Sequence, residues 1–380
     1  MNPTELIGPS SPLGYPAPYW FLVLFKVLGF TLHLVPMNLW YAGIIVAMLL
    51  EWRGGEHARH LSSRVMKQMP IIIALGVNFG IVPLLFVQVA YYKVFYPATI
   101  LMAWPWFSVI VLLTLAYYGV YIYVIGLRDE GAAMARWRRV VGWVTAVLFI
   151  VMGFLFSNAF SLMTNVNAWP ALWQPTSVAG APLGIALNGA DPTLWPRWLM
   201  MFGLALTTTA AYVVVDTGLF AVRESDEYKR GAMRVALKVY TVGMIWFALT
   251  GSWYVFGTWR PDVREMMFSG PLMVVTGLTA IGPGLPWLLI LAQRRAVTRT
   301  WALVTGVAQF GVLALNAISR QIVQNAELSP FLDVTAEPVN IQWSPLVLFL
   351  VLLVAGLGTV AWMLRRLVAA RRMSTDEPIY

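Results

Sequence analysis

Cysteine is absent from this 380-residue chain. That absence excludes disulfides, iron–sulfur clusters, thiolate zinc sites and covalently attached c-type haem. Any redox group must therefore be held by His, Met or a neutral pocket, or be carried by another protein. Charge is scarce as well: 11% of residues are charged and 59% are hydrophobic. No soluble domain has that balance, whereas a multi-span membrane protein does. There is no Walker loop, no Gly-rich dinucleotide turn after a strand and no metal motif. Only three histidines occur. Two of them, in the spacing His57-x-x-His60, lie in a charged stretch with no third ligand nearby, so no metal site is expected. The net charge of +9 does not point to nucleic acid. The basic residues fall between apolar runs, and no basic helix carries interleaved aromatics.

What the chain does have is long apolar runs. About 20 such residues cross a bilayer core. By that rule nine helices are expected, at roughly 18–51, 69–91, 97–127, 139–163, 197–221, 234–257, 269–292, 300–323 and 345–366. The fold class is an all-α integral membrane protein, with one transmembrane domain over 18–366. Most of the 26 basic residues cluster on one side: in 52–68, in 128–139, in 223–238, around Arg294 to Arg299 and at Arg365, Arg366, Arg371 and Arg372, the last two in the tail 367–380. The positive-inside rule makes that side cytoplasmic. The N-terminal segment 1–17 is then outside. It has no basic start and no cleavage site, so it does not read as a signal peptide. The outer segments are rich in Trp, Pro and Asn. The longest, 164–196, contains Trp169, Trp173 and Trp195, which read as headgroup-depth anchors or as a docking face for another subunit.

Few polar residues lie at membrane depth. His33 is the only histidine there, in the run that includes Pro36 and Asn38. An ionisable residue at that depth points to function, here a haem ligand or a proton shuttle, although an imidazole bonded to a neighbouring helix is the plain alternative. Asp216 is the only carboxylate inside a run. It reads as a proton-relay group, an ion-pair partner, or a residue hydrated from the cytoplasm. Lys26 is expected to snorkel to the outer interface. Arg320 suits a haem propionate or an anionic lipid, unless it too snorkels. Met200, Met201 and Met273 lie near outer helix ends. A thioether can ligate haem iron, though methionine in an apolar helix usually packs.

The order of motifs resembles subunit I of cytochrome bd quinol oxidases. The first helix reads LHLVPMNLWYAG and the second VNFGIVPLLFVQVAYYK. The fourth ends FSLMTNVNAWP, LNGADPTLWPRWLMM leads into the fifth, and the eighth ends Ser319-Arg320-Gln321. The resemblance implies two four-helix bundles, helices one to four and five to eight, with a peripheral ninth. His33 lies near the family's first-helix haem ligand, with a spacing to Pro36 about two residues shorter. Met200 stands where the fifth-helix haem histidine would be. Met273 matches the seventh-helix methionine ligand, and Pro271 replaces an expected arginine. Ala317, Trp106 and Thr114 replace carboxylates. The long outer quinol loop shrinks to 258–268.

The resemblance implies an integral membrane subunit of a respiratory electron-transfer complex in a bacterial inner membrane. It would bind one haem b at most, through His33 or through Met200 and Met273 together, with Arg320 beside it. It is not expected to reduce oxygen on its own. The partners implied are other membrane-complex subunits, a cytochrome c or iron–sulfur protein on the outer face, lipid, and quinone. Two rival readings are a haem-free membrane anchor and a small-molecule transporter. The transporter would show internal repeats and broken helices with polar centres.

Overall fold

The computed structural model describes residues 2–376. Among them are nine helices long and apolar enough to cross a membrane. Helix one is Tyr19–Arg53, helix two Glu56–Ala90, helix three Ala103–Asp129, helix four Arg136–Thr164 and helix five Leu194–Leu219. Helix six is Asp226–Thr258, helix seven Gly270–Ala292, helix eight Arg299–Leu328 and helix nine Trp343–Asp376. The protein is a multi-pass integral membrane protein. Of the expected tail, 377–380 lies outside the described residues.

Helices one to four pack as one bundle and helices five to eight as another. Helix one joins them by lying against helices five and eight. Helix nine is peripheral and over Trp343–Met363 turns most of its side chains outward. It is tied to the first bundle where Phe349 meets Phe21, Phe25 and Phe86. Helix five is the most enclosed span, which its small-residue run GLALTTTAA allows. Helices five and six approach closely at Gly203 and Gly243. A Cβ on Gly203 would stand 2.7 Å from the backbone nitrogen of Phe247.

Several helices run past the lengths that hydropathy suggests. Helix two starts at Glu56, directly after Gly54 and Gly55, so the charged stretch holding His57, His60, Arg64 and Lys67 is helical. Its acidic first turn suits the helix dipole. Helix six likewise starts at Asp226, capped by the Ser225 side chain, which accepts from the Tyr228 amide. Helix one contains a π-helical turn at Leu39–Gly43. Helix seven is interrupted at Gly282–Pro283. Its neighbours there, Ile281 and Leu285, face outward, so the break exposes apolar surface and not a polar centre of the transporter kind.

The face opposite the basic one carries the longer connections. Segment 164–196 holds short helical turns and one two-stranded ribbon, Ser177–Val178 with Ala181–Pro182. Trp169 is not an interfacial anchor, because it is fully buried and its indole donates to the Leu162 carbonyl at 2.8 Å. Trp195 is exposed, as an anchor should be. The N-terminal segment is strapped to the segment before helix nine. Tyr15 N–H donates to Pro338 O, Asn340 N–H donates to Tyr15 O, and the Tyr15 hydroxyl reaches the carbonyls of Ala90 and Val334.

Candidate functional site

His33 sits in the first bundle facing helix two, where Gly80 leaves room for its ring and Gly76 for the indole of Trp40. Its Nδ1 lies 2.8 Å from the Gly76 carbonyl oxygen. A carbonyl only accepts, so the imidazole carries its proton on Nδ1 and keeps a lone pair on Nε2. A Cβ on Gly80 would stand 2.8 Å from the ring. Trp40 meets the imidazole edge-on at 6.0 Å and stacks on Phe149.

His33 lines a cavity of about 250 Å³ enclosed by helices one to four and closed by helices five and eight. Its walls are almost wholly apolar. Two lining residues, Ile81 on helix two and Phe156 on helix four, are 50% and 38% exposed, so the wall there is one side chain thick. Its cationic and amide side chains gather at one end: Lys26, Arg320, Gln321 and Gln324.

That end is cationic. Lys26 does not snorkel. It is buried, and its ammonium donates to Gln321 Oε1 at 2.6 Å and Gln324 Oε1 at 2.8 Å, 4.4 Å from the centre of the Tyr91 ring. Arg320 does not snorkel either. Its guanidinium lies 5.0 Å from both the Phe30 and the Phe160 ring centres, with Nη1 3.8 Å from Met201 Sδ. Neither cation has a carboxylate among its described contacts. The nearby Glu327 is engaged by Arg197 at 2.5 Å. The Gln324 amide nitrogen is buried without an acceptor. Burying a charge without a counter-ion is costly, so this end suits an anionic, acceptor-rich group.

The two methionines expected to face each other across a haem do not line this cavity. Met273 is 55% exposed on the outer surface of helix seven. Met200 packs among Leu34, Leu204 and Phe247, at the seam between helices one, five and six. Met201, one residue on, is the methionine that reaches the cavity. Helical geometry explains this, because adjacent residues point about 100° apart.

Asp216 is elsewhere, at the basic-face end of helix five. It is 1% exposed, so it is not hydrated from outside. Arg64 grips it with Nε to Oδ2 at 2.5 Å and Nη2 to Oδ1 at 3.1 Å, and Gln68 donates to Oδ1 at 3.2 Å. Of the sequence alternatives, the structure displays the ion pair. The other two histidines cross from helix two to the approach to helix six. His60 meets Glu224 at 3.0 Å and His57 meets Glu227 at 3.2 Å. No cluster of three or more metal-ligating side chains occurs among the described residues.

The structure thus brings His33 and Arg320 to one cavity and leaves Met200, Met273 and Asp216 outside it. The sequence reading sends Lys26 to the interface, names Gln321 only as part of a motif and gives Gln324 no role. A signal existed: Asn316, Arg320, Gln321, Gln324 and Asn325 recur at helical spacing in helix eight, a polar stripe in an otherwise apolar span.

The fold defines a class. It matches the structure of bd oxidase from Geobacillus thermodenitrificans with a TM-score of 0.63, over 93% of this chain and 99% of that chain, at 14% identity. At that identity the likeness establishes the fold, a cytochrome bd-like arrangement of membrane helices. No protein-family model matches the sequence, and no curated protein matches it.

Proposed function

We propose that the chain is an integral membrane subunit of a respiratory electron-transfer complex, holding one haem b at the His33 cavity. The observation that carries this reading is the donor set. A histidine has its Nδ1 proton committed to a backbone carbonyl, which is how iron-ligating imidazoles are usually oriented, and its Nε2 lone pair is left for a metal. The same apolar cavity carries two cations without carboxylate partners, Lys26 and Arg320, as the paired acid groups of a haem require.

At about 250 Å³ the cavity is a little below the roughly 300–1,000 Å³ range of small-molecule pockets. A flat ring larger than the cavity would displace the side chains of Ile81 and Phe156 towards lipid. His33 would hold the iron from one side. Arg320 and Lys26 would orient the carboxylates, and the aromatic walls would exclude water. A haem supplies one-electron chemistry when bound. The electrons would come from or pass to a partner, a cytochrome c or iron–sulfur protein at the loop-rich face, or a quinone entering from the membrane. The rest of the placement follows the basic-residue asymmetry: a bacterial inner membrane, with the N-terminus outside and the basic face cytoplasmic.

The test is the visible spectrum of the purified protein before and after dithionite. A reduced b-type band supports the reading. A spectrum with no haem band leaves the haem-free anchor.

A further inference from the structure

Helix six leaves the basic face with a stripe that changes character along its length. Arg234 and Lys238 are exposed, and Val242, Ile245 and Leu249, exposed as well, continue the same face into the membrane. At 100° per residue these five positions fall within an arc of about 80°. Helix seven shows the same change in the opposite direction. Ile281, Leu285 and Leu288 are exposed, and the chain reaches the exposed Arg294 and Arg295 where the helix ends.

The two stripes change at the same depth. The Trp287 indole donates to Thr241 Oγ1 at 2.9 Å and pins one helix to the other. The helices run antiparallel. Seven residues towards the basic face therefore lead from Thr241 to Arg234 and from Trp287 to Arg294, about 10 Å along each. Gln293 fixes the turn that carries Arg294 and Arg295, because its amide nitrogen donates to Trp301 O at 3.3 Å and to Thr305 Oγ1 at 2.9 Å, both on helix eight.

No acid balances these four cations. The chain has no Asp or Glu between Glu227 and Asp262, and none between Glu265 and Glu327. Glu227 meets His57, and Asp226 lies two turns from Arg234. Elsewhere on the basic face, Glu51, Glu130 and Glu224 pair with Arg139, Arg138 and Arg64. The side chains of Arg234, Lys238, Arg294 and Arg295 have no ion pair or hydrogen bond among the described residues.

Unanswered positive charge at the end of an exposed aliphatic track matches one kind of molecule, a phospholipid with an anionic headgroup. We propose that the basic-face ends of helices six and seven together bind one such lipid. Its phosphate meets Arg234, Lys238, Arg294 and Arg295, and its acyl chains lie along Val242, Ile245 and Leu249 and along Leu288, Leu285 and Ile281. The site is independent of the redox reading above.

Two measurements on the full-length protein test this. The first is native mass spectrometry in detergent with added dioleoylphosphatidylglycerol or dioleoylphosphatidylcholine. The wild type is expected to bind phosphatidylglycerol several-fold more tightly. Excess inorganic phosphate should not displace it, because the acyl chains hold it as well. Arg234→Gln, Lys238→Gln, Arg294→Gln and Arg295→Gln in combination should remove the preference. Arg53→Gln, Arg128→Gln, Arg136→Gln and Arg223→Gln take the same charge from the same face and should keep it. No preference in the wild type, displacement by phosphate, or equal loss in both variants overturns the site. The second measurement leaves every charge in place. The chain has no cysteine, so Leu288→Cys offers a single attachment point for a fluorophore. In phosphatidylcholine liposomes, spin-labelled phosphatidylglycerol should quench it several-fold more than spin-labelled phosphatidylcholine at the same mole fraction. At Phe107→Cys, on the exposed face of helix three, the two should quench alike. Equal quenching by the two lipids at Leu288→Cys overturns the proposal.

Discussion

Gly80 determines whether His33 can hold its position. With a methyl group there, the ring must leave the Gly76 carbonyl, because the added carbon would stand 2.8 Å from Cε1 and 3.0 Å from Nδ1. Gly80→Ala is therefore expected to cut bound haem several-fold, read as band intensity per protein, while circular dichroism still reports a folded helical protein. A second residue-scale expectation concerns Glu337, in the strap before helix nine. Burial raises its pKa. Hydrogen bonds from Lys93, 2.5 Å away, and from Tyr92, with the positive charge of Lys93, more than offset this and hold the carboxyl below its usual range. The unfolded chain takes up this proton near pH 4.3, roughly, and the folded chain only at lower pH. The stabilisation is thus complete above that value and is lost as pH falls through the folded pKa. Glu337→Gln should lower the melting temperature at pH 7, and the gap to wild type should close on acidification. His33 and Arg320 were legible in the sequence because each is rare at its depth. The fate of Lys26 was not, because the glutamine that captures it, Gln321, lies 295 residues along the chain.

At the scale of elements, the nine spans were legible from run length alone, because bilayer thickness fixes the minimum apolar length. Their ends were not. Glu56–Lys67 and Asp226–Lys229 are too polar for a hydropathy window, yet helix one ends in a Gly pair and helix six has a Ser cap, so both polar stretches are helical. These extensions matter, since Arg64 reaches Asp216 only from a helix. Arg64→Ala leaves a buried carboxylate unpaired and should cost about 3–5 kcal/mol, seen as a large drop in the melting temperature of the solubilised protein. Arg64→Ala with Asp216→Asn should recover much of that loss. The crossing of helices five and six is also specific. Gly243→Val must push against Leu206, 2.8 Å from a Cβ there, and the Gly203 carbonyl at 2.9 Å. Overpacking of this kind costs about 1–3 kcal/mol and should lower the melting temperature without removing the cavity's donor set.

At the scale of the whole molecule, the bundle order belongs to the cytochrome bd-like fold, and the sequence already carried that arrangement in scattered motifs. The side chains within it are placed differently from what the motifs imply. Met273 faces outward and Met200 packs, half-buried, against Leu34, Leu204 and Phe247, so neither lines the His33 cavity. The polar groups have gathered instead around Lys26 and Arg320, at one end of the cavity that His33 lines. The central claim is that this one cavity is a haem site. It is tested most directly by the dithionite-reduced minus oxidised spectrum of the purified protein beside three variants. The expected result is a b-type band in the wild type that persists in Met200→Leu and Met273→Leu and vanishes in His33→Ala. A band that survives His33→Ala, or that depends on either methionine, contradicts it.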